Sequence, residues 1–528
     1  MASHNYFALF AQDTFRATRK LTLTYGIRYG FETGTVEDQN QWNYLDLASP
    51  SPIAAQVPQF PGLKGGVGVP GLNGTSRAVQ ETPKNNFDPR LGLAYEFDAK
   101  TVMHAGFGIF HHPQVGWSQY PIALGTTRIS TSIAAQPDGV TPLYNLSNPF
   151  PNGLPAPWAG DAGLSIALGQ NLDGPLRTMD IPDQANWSFD IQRQLPSRFV
   201  VTAAYVGNVG VHLISPISLN QIPDSSLALG NALLNLVPNP FYGVITDPSS
   251  TLSKSTVQAA QLLRPYPHVL NVTAENVGAG HSNYNAMQLT VERRFAQGLA
   301  VLFGYAFSKA IDNVGEWTGA AGTSNPFQNG HCFSCDRSRS GQNQTHSIRW
   351  STRYELPAGV GKRYFSHGIA SRVLGGWVAG AFFTLDTGRP LVVSSPNNSN
   401  SLGGGSGMRP NATGTPAALP GGPQICDNCL YFNPAAFTQT PQFAFGNVSR
   451  YLPDVDNPRT SNLDASLEKT NSITERFRLT FRAEAFNATN HVVFAGPSTS
   501  VTASNFGRIV LSQANAPRQI QFSLRLGF

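Results

Sequence analysis

The chain has 528 residues, with 36 Lys and Arg against 31 Asp and Glu, a formal net charge of +5 and only 13% charged residues. Soluble domains carry about 25% charged residues, so a string of ordinary soluble domains fits poorly. The cations are scattered without a basic block, which leaves no nucleic-acid footprint, and no apolar run approaches the ~18 residues that a spanning helix needs.

The chain opens on MASHNYFALF, which has no charged stretch followed by an apolar one, so no signal peptide is visible. Together with the pattern that follows, this suggests a chain that has lost its beginning. Residues 21–32, LTLTYGIRYGFE, alternate strictly: Leu21, Leu23, Tyr25, Ile27, Tyr29 and Phe31 share one side, and Thr22, Thr24, Gly26, Arg28, Gly30 and Glu32 the other. Such alternation marks a β-strand with two unlike faces. The same pattern predicts thirteen strands, at 5–16, 20–32, 87–97, 101–112, 185–195, 199–212, 284–295, 299–310, 346–357, 372–386, 462–470, 476–487 and 518–528.

Odd-numbered strands are followed by short turns such as ATRK, DAK, LPSR and AQG. Even-numbered strands are followed by long Gly/Pro/Asn/Ser-rich segments at 33–86, 113–184, 213–283, 311–345 and 387–461. Structureless loops beyond ~15 residues are rare in compact soluble domains. Short turns on one side and long loops on the other are instead the signature of outer-membrane barrels. A strand of about eleven residues spans about 36 Å and, tilted, covers the ~25 Å apolar band.

The expected fold is therefore all-β: a partial antiparallel transmembrane β-barrel with long extracellular loops, occupying 1–528. Its apolar strand faces meet outer-membrane lipid. Strand parity puts the C-terminus, Phe528, on the periplasmic side. Arg28, Glu32, Glu96, Glu292, Arg294, Arg478, Arg482 and Glu484 fall on the opposite faces and suit a wet lumen, where they pair along the wall, guide substrate or grip a plug; unpaired burial in a soluble core would be very costly. Tyr25, Tyr29, Phe31, Phe97, Phe110 and Phe295 are candidates for interfacial aromatic girdles. Stacked β-sandwiches or a propeller would also alternate, but would not place the long loops on one side.

The sequence resembles the Oar-like group of TonB-dependent outer-membrane transporters. The resemblance rests on YFALFAQDTFRATRKLTLTYGIRYGFE near the start and on SIRWSTRYELPAGVGKRYF, LGGWVAGAFFTLDTGRPL and YFNPAAFTQTP. It continues through FGNVSRYLPDVDNPRTSNLDASLEKT, ERFRLTFRAEAFNATNHVVFAGP and RQIQFSLRLGF. It spans nearly the whole chain and is strongest from 345 to 528. It implies a receptor in the Gram-negative outer membrane whose loops bind a ligand (peptide, protein or carbohydrate) and whose plug is moved by the TonB complex. Complete members carry a signal peptide, a plug and about twenty-two strands, so this chain corresponds to the C-terminal part of such a barrel.

Cys332 and Cys335, in CFSC, and Cys426 and Cys429, in CDNC, fall in expected outer loops. An oxidising exterior favours disulfides over a zinc site, whose paired motifs sit closer together; pairing within or between the motifs stays open. His111 and His112 are adjacent at a strand end, which suits an interface better than shared metal ligation, and His331 beside Cys332 is not expected to hold metal. The glycine-rich 403–407 reads as a loop tip, and Trp117, Trp158 and Trp317 are loop aromatics able to stack on sugars or peptides. Phe528, a terminal aromatic on the last strand, resembles the signal read by the barrel-assembly machinery. No nucleophile–base set or phosphate loop occurs, so neither an enzyme nor a cofactor is expected. The alternatives to a coupled receptor are a passive porin or structural barrel, and a secreted soluble adhesin.

Overall fold

The computed structural model describes residues 2–38, 42–112, 141–142, 147–148, 160–178, 180–314, 327–396 and 408–528. Trp117, Trp158, Trp317 and 403–407 lie outside the described residues. One large antiparallel sheet dominates. Its strands are β1 (Tyr6–Arg16), β2 (Leu21–Glu32), β3 (Phe87–Asp98), β4 (Thr101–His111), β5 (Asp183–Gln194), β6 (Phe199–Ser218), β7 (Val272–Ala296), β8 (Leu299–Asp312), β9 (His346–Glu355), β10 (Trp377–Asp386), β11 (Thr460–Ser472), β12 (Arg478–Phe486) and β13 (Gln519–Gly527). Each pairs with the strand before and after it in chain order, so β1 and β13 form the two edges.

The register carries the alternation across the whole sheet. Leu91, Phe107 and Trp187 are cross-strand neighbours, as are Phe189, Tyr205, Met287 and Phe307. Further on, Val291, Phe303, Trp350, Phe383 and Leu463 form another apolar row on the same face. Side chains directly opposite on paired strands share a face, so one surface is predominantly apolar. Among the described residues nothing covers it: Leu91 is 57% exposed and Met287 64%. Trp187 lies across Gly207, where an added Cβ would fall 2.2 Å from the indole.

The packed cores lie elsewhere. Phe241, Phe327, Phe432 and Ile509 are fully buried, and all belong to the long connections. One cluster joins Leu45, Val67, Ile166, Leu172 and Val272; another joins Leu391, Phe432, Val455 and Ile509. The described parts of the expected structureless segments are thus folded layers. They pack because each brings scattered apolar residues that only meet once the strands have set their ends side by side.

Several boundaries differ from expectation. β6 and β7 are 20 and 25 residues long, well beyond the expected 212 and 284. Pro216 and the polar run before Tyr284 read as loop, yet register shifts after Gly210 let the pairing continue to Ser218↔Thr273. Bulges of this kind absorb a residue that cannot donate to the ladder. This extension stands beyond the end of β8, whose last partner is Ser282, and it packs on the loop cores. The strand expected from 372 begins at Trp377, because Gly368–Leu374 forms a short helix ended by Gly375 and Gly376, the latter at φ 73°. Residues 487–518 form a sixth long connection, missing from the expected five. In the β7–β8 turn, Gln297 and Gly298 both have positive φ, 51° and 80°, the backbone that a tight right-twisting hairpin requires.

Candidate ligand-binding surface and polar face

The face opposite the apolar one carries most of the charges; Asp13, Arg193, Arg293, Lys309 and Lys469 share the parity of the apolar face. Arg28, Glu292, Arg478, Arg482 and Glu484 fall on it by register, and Arg294 joins them through its contact with Glu292. Arg482 pairs with Glu484 at 2.5 Å, and Gln521 donates to the same carboxylate at 2.6 Å. Glu292 and Arg294 pair at 3.4 Å, and Arg28 donates to the Tyr6 hydroxyl at 2.7 Å. Among the described residues Arg478 has no ion pair. The sequence reading missed three further pairs on this face: His104–Asp190 at 3.1 Å, Arg349–Asp386 through two contacts at 2.9 and 2.8 Å, and Arg353–Glu468 at 3.7 Å. The first two join adjacent strands and the third reaches across β10, so register was the missing signal.

Phe110 is a correction. Its partners along the strand place it on the polar face, with the Arg90 guanidinium 4.8 Å from its ring centroid. Parity counted from the end of β4 assigns it inward, and an aromatic there stacks on a cation instead of lipid. Tyr29, Phe31, Phe7 and Phe87 do cluster on the apolar side at the loop-facing end, while Tyr95 and Phe97 meet near the turn end. Tyr25 sits mid-strand and donates to Asp13 at 2.9 Å.

The loop layer is held by polar contacts between distant segments. Asp336 and Arg409 form an ion pair at 2.6 Å, both side chains almost wholly buried. Arg339 pairs with Asp456 at 2.8 Å, and Arg450 with Asp312. Burial raises the Asp336 carboxyl and lowers the Arg409 guanidinium despite their mutual attraction, the balance expected when desolvation exceeds Coulomb gain. Burial, with the Asp173 charge beside it, pushes Glu275 to about 7; Glu275 lies in the part of β7 beyond Ser282. His331 bonds Asp224 at 2.8 Å, in a knot with Gln221 and Asn329. His111 bonds Asp88 at 2.7 Å. Among the described residues no three His, Cys, Asp or Glu are grouped to hold a metal ion.

Cys332 is bonded to Cys335, and Cys426 to Cys429. Each bridge closes a small loop that docks elsewhere. Phe333 inside the first packs on Phe327. Beside the second, Arg508 donates to the Asn428 carbonyl at 2.6 Å. Phe528, at the chain end, is 95% exposed and lies 6.5 Å from Phe477 between ring centroids.

No curated protein matches the chain. Among solved structures it is similar to the outer membrane transporter YddB from Escherichia coli, at 9% identity and TM-score 0.46, covering 99% of this chain and 45% of that one. It is also similar to the pyoverdine outer membrane receptor FpvA from Pseudomonas aeruginosa, at 11% identity and TM-score 0.41, covering 100% and 42%. A third is BauA, the ferric preacinetobactin receptor from Acinetobacter baumannii, at 9% identity and TM-score 0.40, covering 100% and 43%. The chain therefore spans less than half the length of each. A family model described as an outer membrane beta barrel domain matches residues 1–521, and with its one uncovered apolar face, one charged face and folded loop layer, the chain belongs to that family.

Proposed function

We propose that this chain is the wall-and-loop part of an Oar-like, TonB-dependent receptor, in which the loops capture a ligand and energy from the inner membrane drives its import. The observation that carries the proposal is the division of the strands into two continuous faces, with folded layers built from the long connections. An apolar face left uncovered by protein suits lipid, and a face of cross-strand ion pairs suits a water-filled lumen. Coupling to TonB rests on the sequence motifs from SIRWSTRYELP to RQIQFSLRLGF. In this account Arg28, Glu292, Arg294, Arg478, Arg482 and Glu484 line the lumen. Strand parity supports a periplasmic Phe528, with the role of an assembly signal.

The test is the coding sequence upstream of Met1 and the conductance of the complete protein. A plug and a TonB-contacting segment upstream, with little conductance in a planar bilayer until the plug is removed, support coupling. Steady open conductance of the complete protein, with no plug encoded, makes it a passive porin.

A further inference from the structure

Between the ends of β10 and β11, the 418–431 segment and residues 491–494, the loop layer encloses a cleft of about 620 Å3. This lies within the ~300–1,000 Å3 of small-molecule sites. Leu419, Ile425, Val493 and Phe494 give it a largely apolar wall. Five ionisable side chains also line it: Tyr431, Asp454, Asp456, Arg459 and His491. Among the described residues Arg459 and the His491 ring have no hydrogen-bond or ion-pair partner, and Asp454 accepts only from the Ala418 amide, at 3.3 Å. By contrast the neighbouring Asp456 is taken by Arg339.

The wall beside Ile425 is pre-organised. The Cys426–Cys429 bridge follows it directly, Asn428 donates to the Ile509 carbonyl at 3.0 Å, and Ile509 donates to the Cys429 carbonyl at 3.0 Å. A site held in its binding shape loses less entropy on binding.

We propose that this cleft binds a short apolar peptide in its zwitterionic form, with its carboxylate on Arg459 and His491, its ammonium on Asp454, and its side chains on the apolar wall. Charge complementarity selects this class. A plain anion would meet Asp454, and a plain cation would meet Arg459. A sugar would leave the aliphatic wall unmatched, and the Tyr431 hydroxyl is already committed to the Asp456 carbonyl at 2.8 Å. The proposal rests on the loops being the ligand-capturing side of the receptor proposed above.

The experiment titrates Leu-Leu-Phe into the full chain in detergent micelles by calorimetry, alongside its N-acetyl and C-amide forms and triglycine. The free tripeptide binds saturably. Each cap weakens binding about tenfold or more, the scale of one lost charge-assisted hydrogen bond, and triglycine binds more weakly still. In Arg459→Gln the amide penalty disappears while the acetyl penalty stays; in Asp454→Asn the reverse holds. Absent binding, equal binding of capped and free peptide, or penalties unchanged in both variants would each overturn the proposal, and the capped series needs no variant to fold. A failed titration leaves the lipid-facing wall standing, whereas a chain that stays dissolved without detergent removes the barrel itself.

Discussion

Leu289 and Thr290 are neighbours near the middle of the sheet-paired part of β7 and face opposite ways. Leu289 lies between Ala203 and Tyr305 on the apolar face, and Thr290 between Thr202 and Gly304 on the polar one. Leu289→Arg therefore puts a guanidinium at mid-height against hydrocarbon, which costs about 2–4 kcal/mol in a membrane barrel. Thr290→Arg puts the same group on the face that already carries Glu292 and Arg349. An added Cβ at the adjacent Gly304 would meet nothing within 4 Å, so there is room, and a change of about 0.5 kcal/mol or less is expected. The two adjacent substitutions should differ by about 2–3 kcal/mol, or roughly 30- to 150-fold in the folding equilibrium. Urea titration of chains folded into lipid vesicles, followed by intrinsic fluorescence, reads this directly. Equal costs, or a larger cost for Thr290→Arg, would refute the assignment of faces.

Arg409→Met alone should destabilise the loop layer by about 3–5 kcal/mol, because it strands the buried Asp336 carboxylate, whereas Arg409→Met with Asp336→Leu should restore most of the loss; protease resistance of the loops measures both. Glu275, raised from 4.5 to about 7, keeps a proton in the folded chain that the unfolded chain has released. The stability it contributes is thus full below about pH 4.5 and lost as pH rises through 7, following the linkage relation. Melting at pH 5 and pH 8 should differ less in Glu275→Gln than in the parent chain. Deleting Phe528 should leave folding in micelles nearly unchanged, since the ring is 95% exposed, yet lower the yield in the outer membrane of expressing cells; an unchanged yield would remove its role as an assembly signal.

The strands were legible because their two faces meet different media, so a period of two runs through all thirteen. The polar-face residues followed from the same parity, and Phe110 was misplaced only because an aromatic at a strand end was read without it. The loop layer was not legible. Its cores draw on residues as distant as Leu45 and Val272, or Leu391 and Ile509, and no local period marks such a meeting. The outer halves of β6 and β7 were hidden for a related reason: beyond Gly210 packed loops replace lipid, so alternation stops being required. The cysteine spacing left the pairing open, and the three-dimensional neighbours of each bridge decide it.

Nitroxide scanning of residues 186–192 in β5, with the chain in lipid vesicles, tests the central claim most directly. Oxygen, which concentrates in hydrocarbon, should broaden labels at Trp187, Phe189 and Ile191, and a water-soluble nickel complex should broaden those at Asn186, Ser188, Asp190 and Gln192. The reverse pattern, or nickel access at every position, would contradict a lipid-facing wall.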